Sequence, residues 1–260
     1  MITLTTGQLE AWLAQVLWPF VRIGACLMVA PAFSAVAVPA RVRIVLAGAI
    51  ALLVAPLVPS PTGIEPFSPT GMLVTVQQIV IGAALGFALQ LVFDAVSMGG
   101  QLIANSMGLS FAFNVDPLRG AGTPALGQLY AVLVTLTFLA LDGHLRIIEM
   151  LVEGFRTLPV GTSGLGREGL WQLVSWGSQI FGGALAVALP GVTALLIVNL
   201  AFGIVSRAAP QLNLFAVGFP ISLVFGLVIV LSGLPVLQSS FVRLMEEAFR
   251  LIAGLTGAGG

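Results

Sequence analysis

Residues able to move a proton or hold a metal are few in this chain, and they are scattered. His144 is the single histidine, Cys26 the single cysteine, and lysine is absent. A multi-histidine site, a cysteine metal cluster and an intrachain disulfide therefore cannot be built. A phosphate-cradling G-x-x-x-x-G-K-[ST] loop cannot occur without lysine, so nucleotide hydrolysis by that route is excluded. Two small constellations remain. Asp142 and His144 lie together near the end of an apolar segment. Glu149 and Glu153 are four apart, on one face of a helix. Paired carboxylates do acid–base work only around a common substrate, and the plainer reading of both groups is a solvated helix face. The expectation is a protein that is not an enzyme and takes no cofactor and no metal.

Polar residues inside apolar runs carry more information. Arg22 lies midway along the first hydrophobic segment. A charge at membrane depth costs a few kcal/mol or more unless it is paired or hydrated. Arg22 reads either as a pore-lining or partner-pairing cation, or as half of an internal pair, with Asp94 a possible mate. Gln90, Asp94, Ser97, Gln101 and Asn105 follow one another at steps of 4, 3, 4 and 4. At 3.6 residues per turn this is one polar stripe, with Leu89, Val92, Phe93, Val96 and Ile103 on other faces. The stripe suits a pore or a neighbouring subunit, or a helix end emerging into water.

The elements that carry these residues follow from composition. Of 260 residues 58% are apolar and 8% charged, with ten positive and ten negative groups. Soluble domains carry roughly a quarter charged residues, so the solvent for this chain is a bilayer. Zero net charge offers no footprint for nucleic acid. The fold class is an all-α integral membrane protein with about six hydrophobic segments, several kinked or broken. They run over Glu10–Phe33, Val42–Val58, Thr70–Asn105, Ala125–Leu141, Leu170–Ala209 and Leu212–Leu234, followed by an amphipathic tail, Val236–Ile252. The N-terminus has no positive region before Glu10 and reads as retained rather than cleaved. Thr70–Asn105 is too long for one simple span, and Pro190 should kink Leu170–Ala209 or divide it at Leu189–Pro190. Gly82 and Gly86 form a GxxxG pair, and Gly99–Gly100 and Gly182–Gly183 offer further close approaches.

Two features resist a simple bundle of spans. Arg41, Arg43, Arg119 and Arg207 would fall on one side and Arg146, Arg156, Arg167, Arg243 and Arg250 on the other. Four against five sets no orientation by the positive-inside rule. Helices shielded from lipid by an assembly would relax that rule. The loop Ser106–Pro124 holds Phe111 and Phe113 with Asn114, Asp116, Pro117, Gly120 and Gly122. Two phenylalanines in a flexible loop seek an apolar seat. That seat is either a channel, where the loop is a plug or gate, or the loop's own helices.

From Arg207 the chain reads RAAPQLNLFAVGFP, with Pro210, Gln211, Asn213, Phe215, Gly218 and Pro220 at fixed offsets. This block resembles the FliR/SctT family, the export-gate proteins of flagellar and injectisome type III secretion. Arg22 before Pro31–Ala32–Phe33, Pro39 with Arg41, Asp116–Pro117, Asp142–Gly143–His144, Leu189–Pro190 and Asn199 match in order, over essentially the whole chain. Phe215 to Pro220 looks more like the flagellar branch.

The resemblance implies a FliP-like part over residues 1–165 and a FliQ-like hairpin with its tail over 166–260. It implies assembly with FliP and FliQ, contact with FlhB and FlhA, and passage of exported flagellar proteins in transit. It places the chain in the bacterial inner (cell) membrane at the flagellar basal body. The loop at 106–123 would plug the closed channel, with Phe111 and Phe113 as anchors. Rival readings are an injectisome homologue, a secondary transporter built on broken helices with Arg22 and Asp94 at depth, and, least supported, a membrane-embedded enzyme.

Overall fold

The computed structural model describes residues 6–34, 38–59, 64–109, 125–208 and 214–257; for 6–11 and 214–217 it gives backbone alone. Every regular element among them is helical. In chain order they are α1 (Thr6–Val29), α2 (Ala40–Val54) with a short 3₁₀ turn (Ala55–Leu57), α3 (Pro69–Ser106), α4 (Ala125–Ala140), α5 (Gly143–Thr157), α6 (Arg167–Trp176), α7 (Gln179–Ala208) and α8 (Leu214–Gly257). Five helical stretches among the described residues are long and apolar enough to cross a membrane. A sixth appears if α4 and α5, separated by a two-residue break, are taken as one broken span. The expected all-α fold with about six segments is the fold found.

Three boundaries differ from the sequence expectation. The break after the 166 region falls at Gly177–Ser178, and α7 runs unbroken through Pro190. Proline removes one helical hydrogen bond, but a glycine–serine step surrenders helix propensity at two adjacent residues. The last apolar segment and the amphipathic tail are one 44-residue helix, which continues through Pro220 and Pro235. The polar stretch after Leu141 is a separate helix, α5. Asp142 sets it off with φ of 55°, a left-handed conformation that Asp tolerates better than most residues. Gly143 follows because a Cβ there would collide with the ring of Phe138.

The chain forms two compact units. The first comprises 1–91, 138–177 and 246–260; the second comprises 92–137 and 178–245. Both draw on residues before and after 165.

In the first unit α1 and α2 run antiparallel. Gln15 Nε2 donates to the carbonyl of Ala55 at 3.1 Å, and Gly48 lies opposite Phe20. The first part of α3 runs parallel to α1. Trp18 Nε1 donates to Thr75 Oγ1 at 3.1 Å, and four residues on Arg22 meets Gln78. Further along, glycine makes the approach possible. A Cβ on Gly82 would run into the carbonyl of Arg22, and one on Gly86 would lie 2.6 Å from the carbonyl of Cys26. The GxxxG step of four on α3 thus matches the step of four from Arg22 to Cys26. Small residues let the two backbones touch, which is how helices gain packing where lipid competes for apolar side chains.

In the second unit the later part of α3 packs on α4 and α7. A Cβ on Gly100 would lie 2.9 Å from the carbonyl of Leu126, and one on Gly99 3.0 Å from Val187. The rings of Phe93 and Phe241 meet edge to face, with centroids 5.4 Å apart.

Candidate functional site

Arg22 is 0% exposed, on the buried side of α1. Its guanidinium is held entirely by neutral groups. Nε donates to Gln78 Oε1 at 2.6 Å, and Nη1 donates to the carbonyls of Gly154 and Leu158, each at 3.0 Å. The ring of Phe155 lies beneath it, its centroid 4.2 Å from Cζ. Gly154 and Leu158 sit at the C-terminal end of α5, where unpaired carbonyls give the helix its negative pole. A cation belongs there, and the Phe155 face adds a cation–π contact. Arg22 thus joins α1, α3 and α5, and its partners are a helix end and an amide rather than Asp94.

Gln78, also fully buried, and Phe155 were missed by sequence reasoning. A glutamine pair, Gln77–Gln78, inside an apolar run was the available signal for the first.

Alongside, α5 runs antiparallel to α1. Its end meets Arg22, and Ile147 and Leu151 share a small apolar space with Cys26, Leu85 and Ile252. Ile147, Leu151, Gly154 and Phe155 are buried on that side. The other side carries Arg146, Glu149, Glu153 and Arg156, all exposed. Glu153 and Arg156 form a 3.4 Å ion pair, each side chain 60% exposed. Arg146 stacks over Phe249 at 4.3 Å. Glu149 and Glu153 therefore stand on an open helix face, on a helix that flanks α1 from Arg22 toward its C-terminal end.

The polar stripe on α3 is a single line along one helix. Asp94 and Asn105 are exposed, and Gln90, Ser97 and Gln101 half-buried, while Val92, Phe93, Val96 and Ile103 are buried. In the second unit Gln101 lies against α4, where a Cβ on Gly127 would come 2.8 Å from its Cγ. A further polar knot ties down the end of α3. Asn199 Nδ2 donates to the carbonyl of Ser106 at 3.3 Å, and Ser222 Oγ donates to Asn199 Oδ1 at 3.2 Å. Asn199 entered the sequence reading only as one of the matches that carry the family resemblance; its tie to Ser106 was not legible there. Among the described residues no group of three or more His, Cys, Asp or Glu is placed to hold a metal.

A family model described as bacterial export proteins, family 1, matches residues 13–248. The chain belongs to this family. The flagellar biosynthetic protein FliR of Escherichia coli (strain K12) is 39% identical over 255 residues, 98% of this chain and 97% of its own. That of Pectobacterium carotovorum subsp. carotovorum is 40% identical over the same length and shares. That of Bacillus subtilis (strain 168) is 29% identical over 244 residues, 92% of this chain and 94% of its own. The resemblance read from the Arg207 block is therefore the family found. The chain is a membrane component of the flagellar protein export apparatus.

Within this export protein the family block is only partly in view. Arg207 is exposed in the last turn of α7, Phe215 is on the backbone of α8, Gly218 is buried and Pro220 exposed. Pro210, Gln211 and Asn213 lie outside the described residues, as do Phe111, Phe113, Asn114, Asp116, Pro117, Gly120 and Gly122 of the candidate plug.

Proposed function

We propose that the chain is a subunit of the flagellar type III export gate, forming with FliP and FliQ the channel for unfolded flagellar subunits. It lies in the bacterial inner membrane at the basal body, alongside FlhB and FlhA. Energy comes from a separate ATPase and the proton gradient. Residues 1–165 form a FliP-like part and 166–260 a FliQ-like hairpin with its tail. The loop at 106–123 plugs the closed channel, Phe111 and Phe113 packing in the lumen until substrate moves them.

One observation supports the reading: the charged face of α5 runs beside α1 from Arg22 toward its C-terminal end, against a helix apolar enough to cross a membrane. Charges exposed at that level are costly in hydrocarbon. They are at ease where water or other protein chains surround the helices, as in a channel assembly. The whole-length match to FliR proteins favours the flagellar branch over the injectisome one.

The test is the native mass of the tagged chain, extracted in detergent after co-expression with its neighbouring membrane genes. One copy of the 26.9 kDa chain inside a much larger hetero-oligomer is the expected outcome. A stable monomer or homo-oligomer that ignores those neighbours would favour a transporter. The plug has its own test: an assembled gate lacking residues Phe111 to Gly122 should leak small ions. An intact complex of unchanged conductance would sink that part alone.

A further inference from the structure

Arg22 and Gln78 meet inside the first unit, and each keeps an amino group unused. Arg22 Nη2 and Gln78 Nε2 are buried atoms with no hydrogen-bond partner among the described residues, on two residues that are both 0% exposed. The two side chains are already joined, Nε of Arg22 donating to Gln78 Oε1 at 2.6 Å. Nη2 and Nε2 are the outer nitrogens of that pair, so both orphans lie in one junction. Turning the amide over gives no relief, because it would set two N–H groups against each other. Next along α3 the shortage is reversed. Gln77 Nε2 donates to the carbonyl of Thr162 at 2.7 Å, while its Oε1 is buried without a donor among the described residues. Leu158, whose carbonyl holds Arg22, and Thr162 belong to the connector between α5 and α6. Two orphan donors and one orphan acceptor therefore gather around the segment that follows α5.

Buried polar groups are ordinarily paired, and a buried donor without an acceptor gives up its hydration for nothing in return. The partner these atoms call for has to be small. Arg22, Gln78, Gly154, Phe155 and Leu158 are all buried, which leaves no opening for a bulky solute or another chain's side chain. It also has to accept two N–H groups. A monovalent anion accepts, but the carbonyls of Gly154 and Leu158 stand 3.0 Å from the same guanidinium. They form the negative pole of α5, which repels an anion. An anion also brings no proton for Gln77 Oε1. Water is neutral, accepts and donates, and when buried typically makes about three hydrogen bonds to groups left unpaired in this way.

We infer that the Arg22 junction is an internal water site. Bound water accepts from Nη2 of Arg22 and Nε2 of Gln78 and donates toward Oε1 of Gln77. The charge that α1 carries within a stretch apolar enough to cross a membrane, Trp12–Val29, is thus hydrated as well as clasped. The inference rests on contacts inside this chain and holds with or without the proposed channel.

The test is X-ray radiolytic labelling of the full chain, purified in detergent with the membrane proteins that accompany it. Radiolysis turns water into hydroxyl radicals that oxidise the side chains they touch, so a buried ring is labelled only where water is bound beside it. Phe155, whose ring centroid lies 4.2 Å from Arg22 Cζ, is the reporter. Phe138 and Phe241 are matched controls; the three are 0%, 1% and 0% exposed in that order. Phe155 should take up label while Phe138 and Phe241 stay at the background of an unirradiated sample. Gln78→Glu keeps the shape and offers a carboxylate to Nε and Nη2 together. It should displace the water and return Phe155 to that background. Arg22→Met combined with Gln78→Leu, which removes both orphan donors, should do the same if the first variant does not fold. Phe155 as unlabelled as its controls in the unsubstituted protein would overturn the site. Label that persists in the folded variants would mean general opening of the junction, and would overturn it equally. An unfolding temperature that falls when chloride is replaced by gluconate, with Phe155 unlabelled, would put an anion there instead and overturn it too.

Discussion

Replacing Arg22 by methionine would strip the donor from the Leu158 carbonyl and leave Gln78 alone in an apolar junction. The expected loss is about 3 kcal/mol, the usual cost of breaking a buried charge-assisted network. Adding Gln78→Leu should recover part of it, because removing both partners is cheaper than orphaning one. Thermal unfolding in detergent of the two single variants and the double checks this; strictly additive losses would show that the two residues act separately. Gly82 has a different sensitivity. Alanine there would force α1 and α3 apart at the Arg22 carbonyl, at a cost of about 1–3 kcal/mol. Gly233→Ala, with open space ahead of it, should instead be neutral or slightly stabilising, by up to about 1 kcal/mol. The same unfolding measurement separates these outcomes.

Among the elements, α3 and α5 decide how the chain meets its surroundings. At about 1.5 Å per residue the 38 residues of α3 extend about 57 Å, nearly twice the hydrocarbon thickness of a bilayer. Its polar stripe lies on the part beyond Leu89. Asp94→Leu tests that face: reduced recovery of the hetero-oligomer with a normal unfolding temperature is expected. Full assembly and export would make the stripe ordinary surface. The helical period made the stripe legible in sequence, because one turn recurs regardless of what packs around it. The Gly82–Gly86 pair was legible as a motif, but its partner was not, since nothing local in α3 specifies that α1 lies against it. The role of Arg22 was half legible. Its depth showed that it needed partners, while those partners lie 56 to 136 residues away and two are backbone carbonyls, which have no sequence signature. The Gly177–Ser178 break was hidden by the stronger expectation attached to Pro190. Proline marks a lost hydrogen bond; a helix held by buried contacts on both sides of it, here Gly183 to Leu195, can tolerate that loss.

For the molecule as a whole, the chain has few charges, and many of them gather on α5, α6 and the last turns of α8. Charge reversal of Glu149 and Glu153 together should leave the fold intact, since both are exposed. It should weaken co-purification with neighbouring membrane proteins, most visibly at low salt, where electrostatic contacts are least screened. Unchanged recovery at all salt concentrations would return this face to solvent. The make-up of the first compact unit also has a consequence for biosynthesis. It needs the first 91 residues, a central stretch and residues from Glu246 onward. At about 5–20 residues per second, a ribosome takes roughly 8 to 34 s to travel from the first of these to the last. Throughout that interval the nascent α1–α3 assembly lacks its closing helix turns. Whatever inserts this polypeptide has to hold it unfinished until translation ends, so a stop codon a few turns early should be as damaging as one near the middle.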